Sequence, residues 1–288
     1  MYFWKNCNIY MKALFLVALL ALSSSAFCQY YYKDIIGTRE TADMVKAYQT
    51  NKVTRVLLNS FDEDGTKTEN FYVEQVFSPA AQTLTTTTRS GLTEESVLTS
   101  HINPQGLVVK TVDSSSSLVT TTVYHYDAAG QLTSLVSTSV DSAKRVNLIE
   151  EHKWEYSNGK ISRMLRIKNK IDTAVVTFKL DEAGNISEEV SVRNGIKSEP
   201  VYYYYDGQNR LTDIVRFNNK VRKLLPEYMF EYSSSNQVIQ KITVPSNSSE
   251  YLIWRYQYDD RGLKIKEAVF NKQKKLNGKI EYLYSFSS

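Results

Sequence analysis

The sequence predicts an all-β protein, an antiparallel meander of repeated β-hairpins that forms a curved sheet or open shell, with a short N-terminal helix. Aromatic and β-branched residues alternate at a period of two in many segments, which is typical of strands. A four-residue turn pattern returns at intervals of about 24 to 30 residues, which is typical of a repeat array. With 42% hydrophobic and 12% aromatic residues over 288 positions, the chain has enough apolar material for a sizeable core.

The first segment has the features of a secretory signal. Met11 is followed by a lysine and the apolar run ALFLVALLAL, which is too short to span a bilayer, and then by SSSAFCQ with small residues around the expected cut. We expect cleavage after Cys28, so residues 1–28 form the signal peptide, and residues 1–10 are interpreted as an upstream extension. A lipid anchor on Cys28 is the alternative, from which Phe27 departs because lipoprotein signals place a small residue there. The protein is therefore expected to be secreted or periplasmic.

Residues 29–52 are predicted to form an N-terminal capping segment with a short helix. Met44, Val45 and Tyr48 fall on one helical face, and Thr38 is predicted to cap the helix N-terminus. We expect this helix to plug the open end of the sheet. A docking helix for a partner is the alternative.

The β-hairpin repeat domain is predicted over residues 53–288. Its turns begin with Asp, Asn or Ser, whose side chain bonds the backbone ahead, and they place Gly or Asn at the fourth position, where φ is positive. A shorter Asn-Gly turn is predicted near residue 158. The turn-defining residues are Gly65, Gly106, Gly130, Gly159, Gly184, Asn209, Asn236 and Gly262. Ala81 holds the same position in the second hairpin and fits it poorly.

An open meander leaves edge strands, whose backbone groups need a partner. The last predicted strand, GKIEYLYSF, has no following hairpin. We expect the edge to be covered by the N-terminal helix, by charged residues such as NKQKK before the last strand, or by a partner, which would add to GKIEYLYSF.

The repeat unit resembles the YD repeats of Rhs-type proteins, in which Tyr-Asp-x-x-Gly precedes an apolar strand. YDAAGQL at Tyr126 and YDDRGLKI at Tyr258 are the best matches, YDGQNRL at Tyr205 is close, and LDEAGNI at Leu180 is weaker. The resemblance covers residues 95–285. It implies a long antiparallel sheet that curls into a spiral or shell. The chain has far fewer repeats than the large members, so complete enclosure of a cargo is not expected, and it is similar to small secreted bacterial repeat proteins.

Residues for catalysis do not assemble into a known pattern. The three histidines are far apart in sequence and lack metal-ligand spacing. Neighbouring acids such as Glu188 and Glu189 point to opposite faces of a strand. We therefore expect no enzyme activity, no cofactor and no metal site.

The remaining features favour a binding function. The first hypothesis is a non-enzymatic scaffold that binds a cell-envelope protein or polysaccharide through an aromatic groove. The candidate ligand-stacking residues are Tyr203, Tyr205, Trp254 and Tyr256. The alternative is a carrier that holds a lipid or another apolar ligand in the concave sheet, and a glycan-active hydrolase is the third hypothesis.

The charge pattern excludes one class of partner. A net charge of +4 is spread along the chain and gives no clustered footprint for nucleic acid. No transmembrane span is expected after the signal segment. The sequence indicates no oligomeric state.

Overall fold

The structure is a computed structural model that describes residues 29–91, 94–141, 143, 147–245, 248 and 250–287. The predicted signal peptide and its cut lie outside the described residues. A π-helical stretch, Tyr31–Ile36, continues into helix α1, Gly37–Thr50. The strands that follow are β1 Val53–Asp62, β2 Tyr72–Ser78, β3 Thr83–Arg89, β4 Ser96–Ile102, β5 Val108–Ser114, β6 Leu118–Tyr126, β7 Leu132–Asp141, β8 Asn147–Ser157, β9 Lys160–Lys168, β10 Asp172–Leu180, β11 Ile186–Arg193, β12 Ile196–Lys197, β13 Val201–Tyr205, β14 Leu211–Asn218, β15 Lys223–Tyr232, β16 Val238–Thr243, β17 Leu252–Tyr258, β18 Lys264–Asn271 and β19 Leu276–Phe286.

The strands form one antiparallel sheet that closes on itself. Neighbours along the chain pair with each other, and β19 returns to pair with β1, for example Ile280 with Ser60. Strands β12 and β13 both pair with β11 and share one place in the wall. The fold is therefore a closed barrel of 18 strand positions.

Closure confirms part of the sequence prediction and corrects another part. The antiparallel meander and the short N-terminal helix are confirmed. The open curved sheet is wrong, because the two end strands satisfy each other's backbone groups. For the same reason the predicted free edge, GKIEYLYSF, is not free, since it belongs to β19 and is paired with β1.

The repeated turns gather at one end of the barrel, which we call the tyrosine end; the opposite end is the far end. In the turn after Tyr126, the Asp127 carboxylate accepts backbone N–H groups of Ala129 and Gln131, both at 2.9 Å. Gly130 takes a φ of +78° and donates its N–H to the Asp127 carbonyl at 3.0 Å. The side-chain bonds fix the turn, and the left-handed residue lets the chain enter the next strand.

All eight turn-defining residues have positive φ, from +59° at Asn209 to +88° at Gly184. Two details of the turn register differ from expectation. The left-handed residue of the second hairpin is Gln82, with a φ of +52°, and not Ala81. The turn at Gly65 lies at the far end, because β1 runs parallel to β18 and so leaves the tyrosine end.

Tyrosines next to these turns tie neighbouring strands together inside the barrel. Each hydroxyl donates to a backbone carbonyl of the adjacent strand, always two residues after the left-handed residue of that strand's turn. The bonds are Tyr126 to Val108 (2.8 Å), Tyr156 to Leu132 (2.9 Å), Tyr205 to Ile186 (2.9 Å), Tyr232 to Leu211 (2.8 Å), Tyr258 to Val238 (2.9 Å) and Tyr284 to Lys264 (2.8 Å). Burial of each ring is thus coupled to a satisfied hydroxyl, at about 1 kcal/mol per bond.

The helical segment lies inside the barrel at the tyrosine end, where it packs on two clusters of inward-facing residues. Tyr31 belongs to the cluster that contains Trp154. Val45 and Tyr48 belong to the other cluster. Helical structure begins before Thr38, so the predicted cap at that residue is wrong; its hydroxyl instead donates to the Asp34 carbonyl at 2.6 Å.

A buried carboxylate holds the start of this segment. Glu189 is 0% exposed, and it accepts the backbone N–H of Tyr30 at 3.0 Å and that of Tyr31 at 3.1 Å. The hydroxyl of Tyr203 is a third donor at 2.8 Å. These donors replace the water that the carboxylate loses on burial.

A buried histidine holds the same segment from another strand. His152 places Nδ1 at 2.6 Å from a carboxylate oxygen of Asp34 and Nε2 at 3.0 Å from one of Glu150. The ring of Tyr30 contacts the imidazole edge to face, with the ring centres 5.0 Å apart. Burial opposes protonation, but the two carboxylates outweigh it and raise the pKa of His152 to about 9.

Polar residues line the inner wall toward the far end, and the outer face carries ion pairs beside exposed apolar side chains such as Leu283. On the inner wall, Thr120 shares a hydrogen bond of 2.9 Å with Ser139. On the outer face, Arg163 pairs with Glu155 at 2.8 Å, opposite to the inward direction of Trp154. No helix among the described residues is long and apolar enough to cross a membrane.

Replacement of Gly130 tests the left-handed turn position. We expect Gly130→Val to lower the free energy of unfolding by about 1 to 3 kcal/mol, because a β-branched residue is strained at positive φ, and Gly130→Asn to be mild. Gly207 lies in the equivalent turn without a positive φ, so Gly207→Val is the control and should change stability by less than about 0.5 kcal/mol. Chemical denaturation measures all three. Equal losses for Val and Asn at position 130 would contradict the turn assignment.

Titration of His152 should make stability depend on pH. The pKa in the folded protein is raised from 6.5 to about 9, so the stabilising contribution is complete below about pH 6.5 and is lost as the pH rises to about 9. We expect the free energy of unfolding of wild type minus that of His152→Gln to be larger near pH 6 than above pH 9, by roughly 3 kcal/mol. Urea titrations across this range measure the difference. A difference that does not vary with pH would show that the carboxylates do not hold a protonated imidazole.

Candidate functional site

Helix α1 divides the interior at the tyrosine end into two cavities. One, of about 750 Å³, lies between the helix and the turns that follow β4, β6, β8 and β10; we call it the polar cavity. The other, of about 580 Å³, lies on the opposite side of the helix against β1, β2 and β15–β19; we call it the aromatic cavity. Both volumes fall in the range of small-molecule sites.

One face of the helix supplies charged groups to the polar cavity. Arg39, Asp43 and Lys46 recur at helical spacing and are exposed to this space. Lys160, from the turn between β8 and β9, lines the same cavity. Three cations therefore share the cavity with one helix carboxylate.

Tyrosine rings form part of the wall of the polar cavity. The hydroxyls of Tyr126 and Tyr156 are bonded to backbone carbonyls, which fixes the ring positions. Amide side chains complete the rim, and that of Gln131 is itself held by the Gly159 carbonyl at 3.1 Å. The cavity therefore combines fixed aromatic surface with adaptable cationic side chains.

The aromatic cavity has a largely apolar wall. Its apolar side chains come from the helix and from strands on both sides of the seam between β1 and β19. They are Met44, Leu58, Phe71, Val73, Leu263 and Ile280. Besides Asp43, which also lines the polar cavity, four charged side chains, discussed next, reach this cavity.

Two of the four charges form a pair. Lys264 lies 3.6 Å from a carboxylate oxygen of Glu267 and 4.5 Å from the ring centre of Tyr256. Glu267 also accepts the hydroxyl of Tyr282 at 3.0 Å. This lysine and this carboxylate are therefore compensated within the wall.

The other two charges, Lys241 and Glu40, are not compensated by contact. The Lys241 ammonium lies over aromatic rings, with centres at 5.0 Å for Tyr228, 5.7 Å for Phe230 and 5.9 Å for Tyr32, and it donates to the Tyr32 hydroxyl at 3.3 Å. Within the described residues, neither Lys241 nor Glu40 has an ion-pair partner within 4 Å.

The surroundings shift the pKa of both groups toward their neutral forms. Burial raises the pKa of the Glu40 carboxyl, although the charges of Lys241 and Lys264 oppose this rise. Burial also lowers the pKa of Lys241, and the charge of Glu40 only partly offsets the fall. Of the two side chains, Lys241 is half-buried, whereas Glu40 is exposed.

The four predicted ligand-stacking residues all face inward but lie in different parts of the interior. Tyr203 is 2% exposed and bonded to Glu189, and the Tyr205 hydroxyl bonds a backbone carbonyl. Trp254 is 4% exposed and donates to the Thr243 hydroxyl at 3.2 Å. Tyr256 alone of the four lines one of the two cavities, the aromatic one.

Sequence reasoning missed the charged residues of both cavities. In β16 a charged residue, Lys241, faces the interior, whereas an apolar residue, Ile239, is 38% exposed on the outer face. This reversal of the usual arrangement, with apolar residues inside and charged residues outside, can be recognised only when the inward face of the strand is known. Among the described residues, no group of three His, Cys, Asp or Glu side chains is arranged to hold a metal ion.

Comparisons with known proteins end in structural likenesses. No family model and no curated protein matches the sequence. The chain is similar to part of a TcdB2-TccC3-Cdc42 crystal structure, with 14% identity and a TM-score of 0.33, over 73% of this chain and 12% of that one. It is also similar to two porin-like proteins. The one from Bacteroides uniformis has 12% identity, a TM-score of 0.39 and coverage of 81% and 98%, and the one from Bacteroides vulgatus has 14% identity, a TM-score of 0.26 and coverage of 82% and 98%. The resemblance to YD repeats stays a prediction from the sequence.

Proposed function

We propose that the protein is a non-enzymatic binding protein of the cell envelope, and that its polar cavity receives the end of an acidic polysaccharide chain. The observation that carries this proposal is the cluster of Arg39, Lys46 and Lys160 beside two fixed tyrosine rings in a cavity of about 750 Å³. An aromatic face packs against the apolar face of a sugar ring. Cationic side chains bind the carboxylate of a uronic acid, with arginine suited to two parallel hydrogen bonds.

The closed sheet favours an internal site over an open groove. The inward aromatic residues are covered by the wall and by the helix, so a long strand of a partner cannot lie along them. A chain end enters a cavity without disturbing the barrel. This geometry favours a polysaccharide end over a protein edge strand.

The arrangement of the candidate catalytic groups supports a role without chemistry. Both ring nitrogens of His152 are engaged by carboxylates, and Glu189 accepts hydrogen bonds from Tyr30, Tyr31 and Tyr203. Glu188 points to the outer face and pairs with Lys179 at 2.9 Å. These groups hold the fold, which leaves none of them poised as a general base for hydrolysis.

One feature supports a location in the cell envelope. The sequence before residue 29 has the pattern of a secretory signal.

Calorimetry with a short oligogalacturonate tests the glycan proposal. We expect binding that weakens with salt, and at least about a tenfold loss of affinity in the double variant Arg39→Gln, Lys46→Gln, because two charge-assisted contacts are removed. The matched control is Lys220→Gln, which removes an exposed lysine at the far end. A neutral malto-oligosaccharide of equal length should bind more weakly.

The same samples test the absence of catalysis. The oligogalacturonate recovered after long incubation should be intact by mass spectrometry. Equal affinity of the double variant and wild type would contradict the polar-cavity site, and progressive cleavage of the sugar would overturn the non-enzymatic role.

Mass analysis of the N-terminus tests the proposed location in the cell envelope. We expect a mature chain that begins at Gln29 when the full sequence is expressed in a bacterium with an envelope, because the signal pattern ends at Cys28. A lipid on Cys28 would replace this with a membrane anchor. Retention of Met1 or Met11 on a cytoplasmic protein would contradict export.

A further inference from the structure

We propose that the aromatic cavity is a second binding site, which takes an amphipathic monocarboxylate: a molecule with one carboxylate head and an unbranched apolar body. This site is separate from the proposed glycan site, because helix α1 lies between the two cavities. The ligand class also differs, since an apolar body suits this wall and a sugar does not.

The head of the ligand is assigned to Lys241. Its ammonium has three donors, and among the described residues its hydrogen bond is the one to the Tyr32 hydroxyl. The rings of Tyr228 and Phe230 hold the ammonium without neutralising it. A carboxylate that enters this space gains a charge-assisted hydrogen bond from an ammonium held beside aromatic rings.

Glu40 faces the same space and decides which anion fits. Its side chain is exposed, and Asp43, three residues further along the helix, lines the same cavity. A second carboxylate on the ligand is disfavoured, since it would meet Glu40 and Asp43 while Glu267 is already paired with Lys264 and Tyr282. The charges of the wall therefore select a monoanion.

The body of the ligand is assigned to the apolar wall. The wall includes Met44 of the helix, Phe71 just before β2, Val73 of β2 and Ile280 of β19. A space of about 580 Å³ accommodates a saturated chain of medium length. Burial of such a chain is driven by the hydrophobic effect, and the head fixes its direction.

Methyl NMR with labelled methionine and decanoate as the ligand tests the site in the wild-type protein. Met44 lines the aromatic cavity, Met164 is buried in the other core cluster, and Met229 is on the outer face. We expect decanoate to shift the Met44 ε-methyl signal, identified by its loss in Met44→Leu, and to leave the other two unchanged. Absence of a Met44 shift at saturating decanoate would overturn the site.

Variants and a matched ligand test the assigned head group by calorimetry. Lys241→Met keeps the length of the side chain without its charge and should weaken decanoate binding by about tenfold or more, whereas Lys266→Met on the outer face of the neighbouring hairpin should not change it. Glu40→Gln should strengthen decanoate binding, because it removes a negative charge that faces the carboxylate head. Equal affinity of Lys241→Met and wild type, or tighter binding of decylamine than of decanoate, would contradict the proposal, as would loss of decanoate binding in Glu40→Gln. If Lys241→Met does not fold by circular dichroism, the comparison of decanoate with decylamine in the wild type decides the charge preference.

Discussion

The width of the barrel interior is the constraint on which the other features of the structure depend. A closed wall of eight strands is narrow enough for its own side chains to fill, whereas sixteen to eighteen strands leave a channel. This wall has 18 strand positions, so its side chains alone do not close the interior. The helical segment after residue 29 supplies the missing volume at the tyrosine end, and the apolar core forms around it.

A helical segment that fills the interior in this way must be held by specific contacts, because hydrophobic packing has no direction. Glu189 and His152 provide them through charged and hydrogen-bonded contacts to the first residues of the segment. Such buried polar networks are costly when a partner is missing and rigid when all partners are present. The helix is therefore fixed in one register, and its polar and apolar faces meet different parts of the wall. The two cavities follow directly, since a cylinder does not fill the cross-section of a wider barrel.

The tyrosine bonds explain why so many tyrosines occur at the repeated turns. Phenylalanine would bury the same ring, but it would leave the carbonyl of the neighbouring strand without the hydroxyl donor seen here. Tyr284 makes the same bond from the last strand, so the pattern continues up to the seam with β1. A wall stabilised by identical local units tolerates side-chain variation between them. The lysines of the aromatic cavity occupy such variable inward positions.

Local physical chemistry made the strands, the turns and the all-β class predictable. Asp127 and Gly130 act within four residues, so their bonds and φ values follow from residue type alone, and the same holds for the alternation of Trp254 and Tyr256. Closure was decided by the pairing of β1 with β19, which joins residues more than two hundred positions apart, and no local pattern encodes that distance. The positions of Lys241 and Glu40 beside one cavity depend on the same closure, because the sheet must surround the helix before the two side chains share a space. The sequence by itself therefore determined the repeating unit, and the tertiary structure determined what the units enclose.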